Sequence, residues 1–265
     1  MGRGSFAQPH PVGLRRAAYA AAAAAGRDLR AHDAAQVGGE FDALAESLMQ
    51  PAPLDLRVNT LKGKREKVLP RLSHLGARET PWSPLGLRIE LGADARNPGI
   101  HAEEDFIKGA IEVQDEGSQL IARAVCEAPL EGEDTGRWLD LCAGPGGKAA
   151  LMGALARIDS AHVDAVEVSP HRAALIEKTV SDLPVDVHVA DGRNPGVGEG
   201  FDRVLVDAPC SGLGALRRRP EARWRKSEAD IAELNQLQFE LLSSALNLVR
   251  PGGVVIYSTC SPDLR

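Results

Sequence analysis

Aromatic residues are scarce in this 265-residue sequence, which has three Trp, two Tyr and five Phe. Cysteine is scarcer, with Cys126, Cys142, Cys210 and Cys260 the four present. No two of them form a Cys-x-x-Cys and no His cluster stands beside them, so no metal site is expected. Four cysteines in so long a chain do not make a disulfide framework, which points to a reducing cytoplasm. No apolar run approaches the roughly 20 residues a membrane-spanning helix needs, so no membrane role is expected. Residues 17–25 follow Arg15 and Arg16 as a secretory leader would, but alanine is weakly hydrophobic and the run reads as an Ala-rich helix. A basic excess is missing too: 31 Lys and Arg against 37 Asp and Glu leave a net charge of −6. Any nucleic-acid role must therefore rest on local patches. Three basic clusters exist. The first holds Arg3, Arg15, Arg16, Arg27 and Arg30, and the second Arg57, Lys62, Lys64, Arg65, Lys67 and Arg71. The third holds Arg217, Arg218, Arg219, Arg223, Arg225 and Lys226. Each taken alone reads as a solvated face. The third gains weight from the loop it follows, and is expected to serve RNA rather than stability.

What is present divides into three parts. Residues 1–50 read as a helical segment, and Pro51 and Pro53 mark its end. Residues 51–109 read as a small α+β module: a strand over 54–58, a helix over 64–75 stopped by Gly76, and a strand over 85–91. Residues 110–265 open with a helical approach segment over 111–128. From Arg137 the pattern becomes strict strand–helix alternation. Strands are expected at 138–142, 163–168, 185–190, 204–207 and 254–258, with helices near 148–157, 171–181 and 227–249. Such alternation predicts an α/β, Rossmann-like domain with a parallel sheet, whose ligands bind at the carboxyl ends of the strands.

Those strand ends carry the candidate site. The first leads into Cys142, Ala143, Gly144, Pro145, Gly146, Gly147 and Lys148, a glycine turn that lets backbone approach a ligand. It is neither Gly-x-Gly-x-x-Gly nor a P-loop. The second ends at Glu167, 20 residues past Gly147, where a carboxylate can hold both hydroxyls of a ribose. An adenosine-containing cofactor follows, with NAD and S-adenosylmethionine both open at this point. The third ends at Asp191, an acceptor for an adenine amino group or a turn cap. The fourth ends in Asp207-Ala208-Pro209-Cys210-Ser211-Gly212 and the fifth in Ser258-Thr259-Cys260-Ser261-Pro262. A lone cysteine is usually a small buried hydrophobe, but two at neighbouring strand ends suggest chemistry.

The runs Leu139-Asp140-Leu141-Cys142-Ala143-Gly144-Pro145-Gly146-Gly147-Lys148, Asp207-Ala208-Pro209-Cys210-Ser211-Gly212 and Ser258-Thr259-Cys260-Ser261 resemble the Sun (Fmu) family of RNA cytosine-C5 methyltransferases, bacterial 16S ribosomal-RNA type. The lead-in Val113-Gln114-Asp115-Glu116-Gly117-Ser118-Gln119 and the run from Leu216 to Trp224 are similar to that family as well. The resemblance covers about residues 51–265, with 54–91 matching a small RNA-recognition-like module. It implies S-adenosyl-L-methionine as cofactor and ribosomal RNA as partner, with transfer RNA the other RNA considered. It implies Cys260 as the nucleophile that adds to carbon 6 of cytosine, and Cys210 as the group that assists product release. Asp207 would bind the base edge and protonate N3, a role that calls for a raised pKa. Lys148 would add positive charge, or form a structural ion pair. The cofactor's methionine end would lie on 142–148, its ribose at Glu167 and its adenine near Asp191, with Arg172 flanking and Asp207 also among the cofactor-binding residues. The target base must be unstacked to enter such a pocket.

Two departures from the family bear on activity. Only about 50 residues precede the small module, where the family carries a longer helical domain. The sequence stops at Arg265, five residues past Cys260, where the family fold continues with a helix and two antiparallel strands. The methyltransferase domain is therefore expected to lack its last strands. A catalytically impaired RNA-binding relic of the same fold is the first alternative. The second, a nicotinamide-dependent oxidoreductase, explains the glycine turn and Glu167 but neither loop cysteine.

Overall fold

The computed structural model describes Gly39 and residues 41–92, 98–219 and 227–261. The expectations for residues 1–38, including the Ala-rich run and the first basic cluster, lie outside the described residues. So do Arg223, Arg225 and Lys226 of the third cluster.

After a first helix, α1 (Phe41–Met49), the chain enters a small antiparallel sheet. Its strands are β1 (Leu54–Val58), β2 (Arg78–Glu79), β3 (Gly86–Ile89) and β4 (Ile111–Val113), in the order β2-β3-β1-β4. The expected helix over 64–75 is only partly α-helical: α2 (Arg65–Val68) passes into a 3-10 segment, Leu69–Leu75. Pro70 lacks the N–H that an α-helical turn would use there. Gly76 closes the segment in the left-handed conformation, φ 70°, as the sequence predicts. The core of this module is Leu56, Val58, Val68, Leu72, Leu87, Ile89, Ile100 and Ile111, all buried.

The expected helical start at residue 111 is a correction. Ile111–Val113 is a strand paired antiparallel to Leu56–Val58, and the helix α4 (Glu116–Glu127) begins only after it. A three-residue strand has no periodicity to read, and only pairing with β1 defines it. A short helix α3 (Glu104–Ile107) precedes it.

The second sheet is fully parallel, in the order β7-β6-β5-β8-β9. Its strands are β5 (Arg137–Asp140), β6 (His162–Glu167), β7 (Val185–Val189), β8 (Phe201–Asp207) and β9 (Val249–Ser258). The connecting helices are α5 (Gly147–Asp159), α6 (Pro170–Val180) and α7 (Glu228–Leu248). Ser227 caps α7 with a reciprocal Asp230 bond, which explains why that helix starts where it does. Period-2 burial divides the strands between two cores. Trp138, Val163 and Leu205 face α4 and α5, whereas Leu139, Val204 and Val206 face α7. Strand order reverses between β5 and β8, so the switch point lies where the ends of those two strands diverge.

Candidate functional site

The glycine turn leaves β5 after Asp140. Ala143 N–H donates to Val166 O at 2.9 Å, which pins the turn onto β6. Glu167 is buried; its Oε2 accepts from Gly144 N–H at 3.1 Å and its Oε1 from Ser169 N–H at 2.9 Å. Arg172 donates to Gly144 O and lies 3.5 Å from Glu167 Oε2. The turn, Glu167 and Arg172 are thus one assembly, and glycine at 144 is required by space: a Cβ there would stand 2.1 Å from Glu167 Oε2. Gly146, at φ 111°, is held against Ile176 of α6. Burial pushes the Cys142 thiol up to about 12, so it is a packed neutral group.

Asp207, at the end of β8, accepts from Lys148 Nζ at 2.5 Å and from Ser258 Oγ at 2.9 Å. Both oxygens therefore face donors. The loops carrying the two cysteines are tied together: Ala208 N–H donates to Ser258 O at 2.9 Å and Gly214 N–H to Cys260 O at 2.8 Å. Ser211 and Ser261 hydroxyls meet at 2.8 Å. These ties leave Cys210 Sγ and Cys260 Sγ 3.0 Å apart as free thiols. The Cys260 thiol, with help from Thr259 and the Gly212 backbone, brings Cys210 down to about 5. Cys260 moves up, first because it donates to Cys210 and then through burial and the charges of Cys210 and Asp207. The two thiols are therefore shifted in opposite directions, Cys210 downward and Cys260 upward.

Asp191 reaches the same edge from β7, but its carboxylate is already engaged by the Arg193 guanidinium, which holds it below the usual range. Two clusters behave differently from the sequence expectation. Arg217 donates to Pro51 O at 2.6 Å and Arg218 to Pro53 O at 2.8 Å, with Arg218 also paired to Asp115. Those two arginines fasten the loop after Cys210 to the start of the small module, which corrects the view of the run as solely an RNA contact. Arg57 of the second cluster is a buried residue rather than a surface one.

The residue reading missed Asp140. It is 1% exposed and neither oxygen has a hydrogen-bond partner. Burial pushes it up to about 7, opposed by Lys148 and aided by Asp207. Its only signal in the sequence was its place at the end of the first strand. An orphaned carboxylate beside a glycine turn fits the ammonium end of an amino-acid-bearing cofactor.

Comparison with known proteins agrees with this architecture. The chain is 64% identical over 183 residues to a Mycobacterium tuberculosis protein named only as a methyltransferase, spanning 69% of this chain and 38% of that one. It is 35% identical over 229 residues to Ribosomal RNA small subunit methyltransferase B of Klebsiella pneumoniae, spanning 84% of this chain and 50% of the relative. The chain thus spans half or less of the length of these relatives. A Pyrococcus horikoshii methyltransferase homolog superposes with a TM-score of 0.69 at 30% identity, over 85% of this chain and 70% of that one. NSun6 of the same organism gives 0.76 at 21% identity, over 88% and 83%, a likeness of fold. The ferredoxin-like domain of the RsmF/B-like methyltransferases matches residues 31–96, and a Rossmann-like methyltransferase domain follows it. Residues 127–265, which hold the turn, Glu167, the Lys148–Asp207 pair and both loop thiols, match the pattern described as 16S rRNA methyltransferase RsmB/F, and the chain belongs to that family.

Proposed function

We propose that this chain transfers a methyl group from S-adenosylmethionine to carbon 5 of a cytosine in RNA, 16S ribosomal RNA by family, through a covalent Cys260 adduct. The observation that carries this reading is the pair of free thiols 3.0 Å apart on tied loops, with the Lys148–Asp207 pair beside them. Two nucleophilic sulfurs next to a proton-donating ion pair suit addition to a ring and later elimination. The oxidoreductase alternative leaves the thiols without a task, and family membership speaks against it.

The turn 142–148, Glu167 and Arg172 would hold the cofactor, with Asp140 at its ammonium, and Asp191 nearer the adenine. The close packing of Glu167 and Arg172 against Gly144 and the unpartnered Asp140 fit that assignment. When bound, the cofactor supplies an electrophilic methyl group to carbon 5. Cys260 adds to carbon 6 while its proton passes to the Cys210 thiolate. The ring then gains a proton at N3 from the Lys148–Asp207 pair, and carbon 5 becomes an enamine carbon. After methylation, the carbon-5 proton passes to water, N3 returns its proton to the Lys148–Asp207 pair, and the Cys260–carbon bond breaks as Cys210 hands its proton back to the departing sulfur.

The division at residues 50 and 109 belongs to the same proposal, with RNA bound by both the small module and the methyltransferase domain, in the cytoplasm. The test is a denaturing gel with 5-fluorocytosine RNA and S-adenosylmethionine. A Cys260-dependent protein–RNA band is expected; its absence from a chain that methylates RNA overturns the covalent route.

A further inference from the structure

Two buried donors belong to the small module and its exit, and the chemistry above leaves them unused. Arg57 in β1 is 1% exposed; it donates from Nε to Gln114 Oε1 at 2.6 Å and from Nη2 to Glu112 Oε2 at 2.6 Å. Gln114 follows β4 directly and is 8% exposed, yet its Nε2 has no partner. Its backbone is fixed at both ends: its N–H donates to Asp55 O at 3.1 Å, and its C=O accepts from Gln119 Nε2 at 2.9 Å.

The orientation of this amide is not free. A guanidinium has only donors, so the oxygen of Gln114 must face Arg57 and the NH2 group must face away from it. It faces the start of α5: a Cβ placed on Gly147 would lie 3.5 Å from Nε2. Glycine at 147 keeps the space in front of that donor open. α5 is 13 residues long, and its first-turn N–H groups have no partner within the helix. Helix terminus and amide together present only donors, backed by the positive end of the helix dipole, and this is a place for an anion. A buried amide left unpaired is costly, and such groups in folded proteins call for a missing partner.

We propose that Gln114 is a cofactor-binding residue delivered to the catalytic turn from the end of the small sheet, and that it takes the carboxylate of the cofactor's amino-acid end. Arg57 is its positioning residue, acting through the amide oxygen. Asp140, with unpartnered acceptors, serves the opposite charge of the same zwitterion. The small module thereby takes part in loading the cofactor as well as in holding RNA. This inference rests on the methyltransferase reading above.

The test compares two ligands by calorimetry on the whole chain. S-adenosylhomocysteine has the amino-acid end, and 5′-methylthioadenosine keeps the adenosine and lacks it. Gln114→Met, close in volume, should weaken S-adenosylhomocysteine by about tenfold, the loss of one hydrogen bond to a charged group. It should leave methylthioadenosine within about twofold. Gln114→Glu should weaken the first ligand further by charge repulsion. Arg57→Met should act in the same direction, again sparing methylthioadenosine, whereas a merely structural Arg57 would lower both. Circular dichroism confirms that each variant is folded. If both ligands weaken together in folded Gln114→Met, or neither does, the inference is wrong while the methyltransferase reading stands. A native chain that binds neither ligand overturns both.

Discussion

Cys210 and Cys260 lie 3.0 Å apart but differ in their surroundings, which shift Cys210 downward and Cys260 upward. The thiolate is the reactive form of cysteine. Because Cys210 is brought down to about 5, its alkylation by iodoacetamide should rise as pH passes that value and be flat at neutrality. Cys260, shifted upward, should stay unlabelled over the same range; site-resolved mass spectrometry reads both. Faster labelling of Cys260 at pH about 7 would reverse the proton assignment. The adduct experiment separates their catalytic roles. Cys210→Ala should still add Cys260 to cytosine and accumulate an RNA adduct that survives denaturation, whereas Cys260→Ala and the double variant should form none. An adduct in Cys260→Ala instead would exchange the roles. For Glu167, loss of the carboxylate removes the proposed ribose contacts and the anchor of Gly144 N–H. Glu167→Ala should weaken cofactor binding by about one to two decades. An unchanged dissociation constant would show that the ribose lies elsewhere.

At the scale of elements, the β5–α5 turn acts as a unit because Glu167 and Arg172 hold it from β6 and α6. Gly144→Ala pushes a methyl group into Glu167, so the turn or the carboxylate must move. Cofactor affinity should fall at least about tenfold, since charged hydrogen bonds are misplaced. Native affinity in this variant would mean that the turn is not the cofactor cradle. The loop after Cys210 is fastened differently. Arg218 joins Pro53 O, Asp115 and, at 3.9 Å, Asp55, and it is only about a third exposed. Arg218→Ala should lower stability by about 1–2 kcal/mol in urea titration. An unmoved denaturation midpoint would return Arg218 to the RNA-facing surface that its sequence context suggests.

Across the whole molecule, Asp55 is one of the ties between the small sheet and the second domain. It is buried, accepts from Arg88 Nε at 2.7 Å and from Glu116 N–H at 3.1 Å, and faces Arg218. One carboxylate thus links β1 and β3 to α4 and to the loop that carries Cys210. Asp55→Ala removes the paired hydrogen bonds to Arg88 and leaves Glu116, 3.4 Å away, as its remaining counter-charge, and a loss of about 1.5–3 kcal/mol is expected. Calorimetry should then show the small module melting ahead of the methyltransferase domain. A single unshifted transition would mean that the sheets are coupled by other contacts.

The sequence alone determined the parallel five-strand domain, the glycine turn, the position of Glu167 and the two cysteine loops. Each rests on a local rule: strand–helix alternation, glycine where backbone must come close, and chemistry at the carboxyl ends of strands. It did not determine β4, which is too short to carry a period and exists by pairing with β1. Nor did it separate Arg57, Arg217 and Arg218 from the surface, since charge in a sequence carries no depth. Asp140 and Gln114 sat in quoted motifs with no assigned role, because an unpartnered buried atom is a property of packing. Which thiol holds the proton was likewise left to the tertiary structure. Residues 50 apart had to be brought within 3.0 Å, and beside Asp207, before their electrostatics differed.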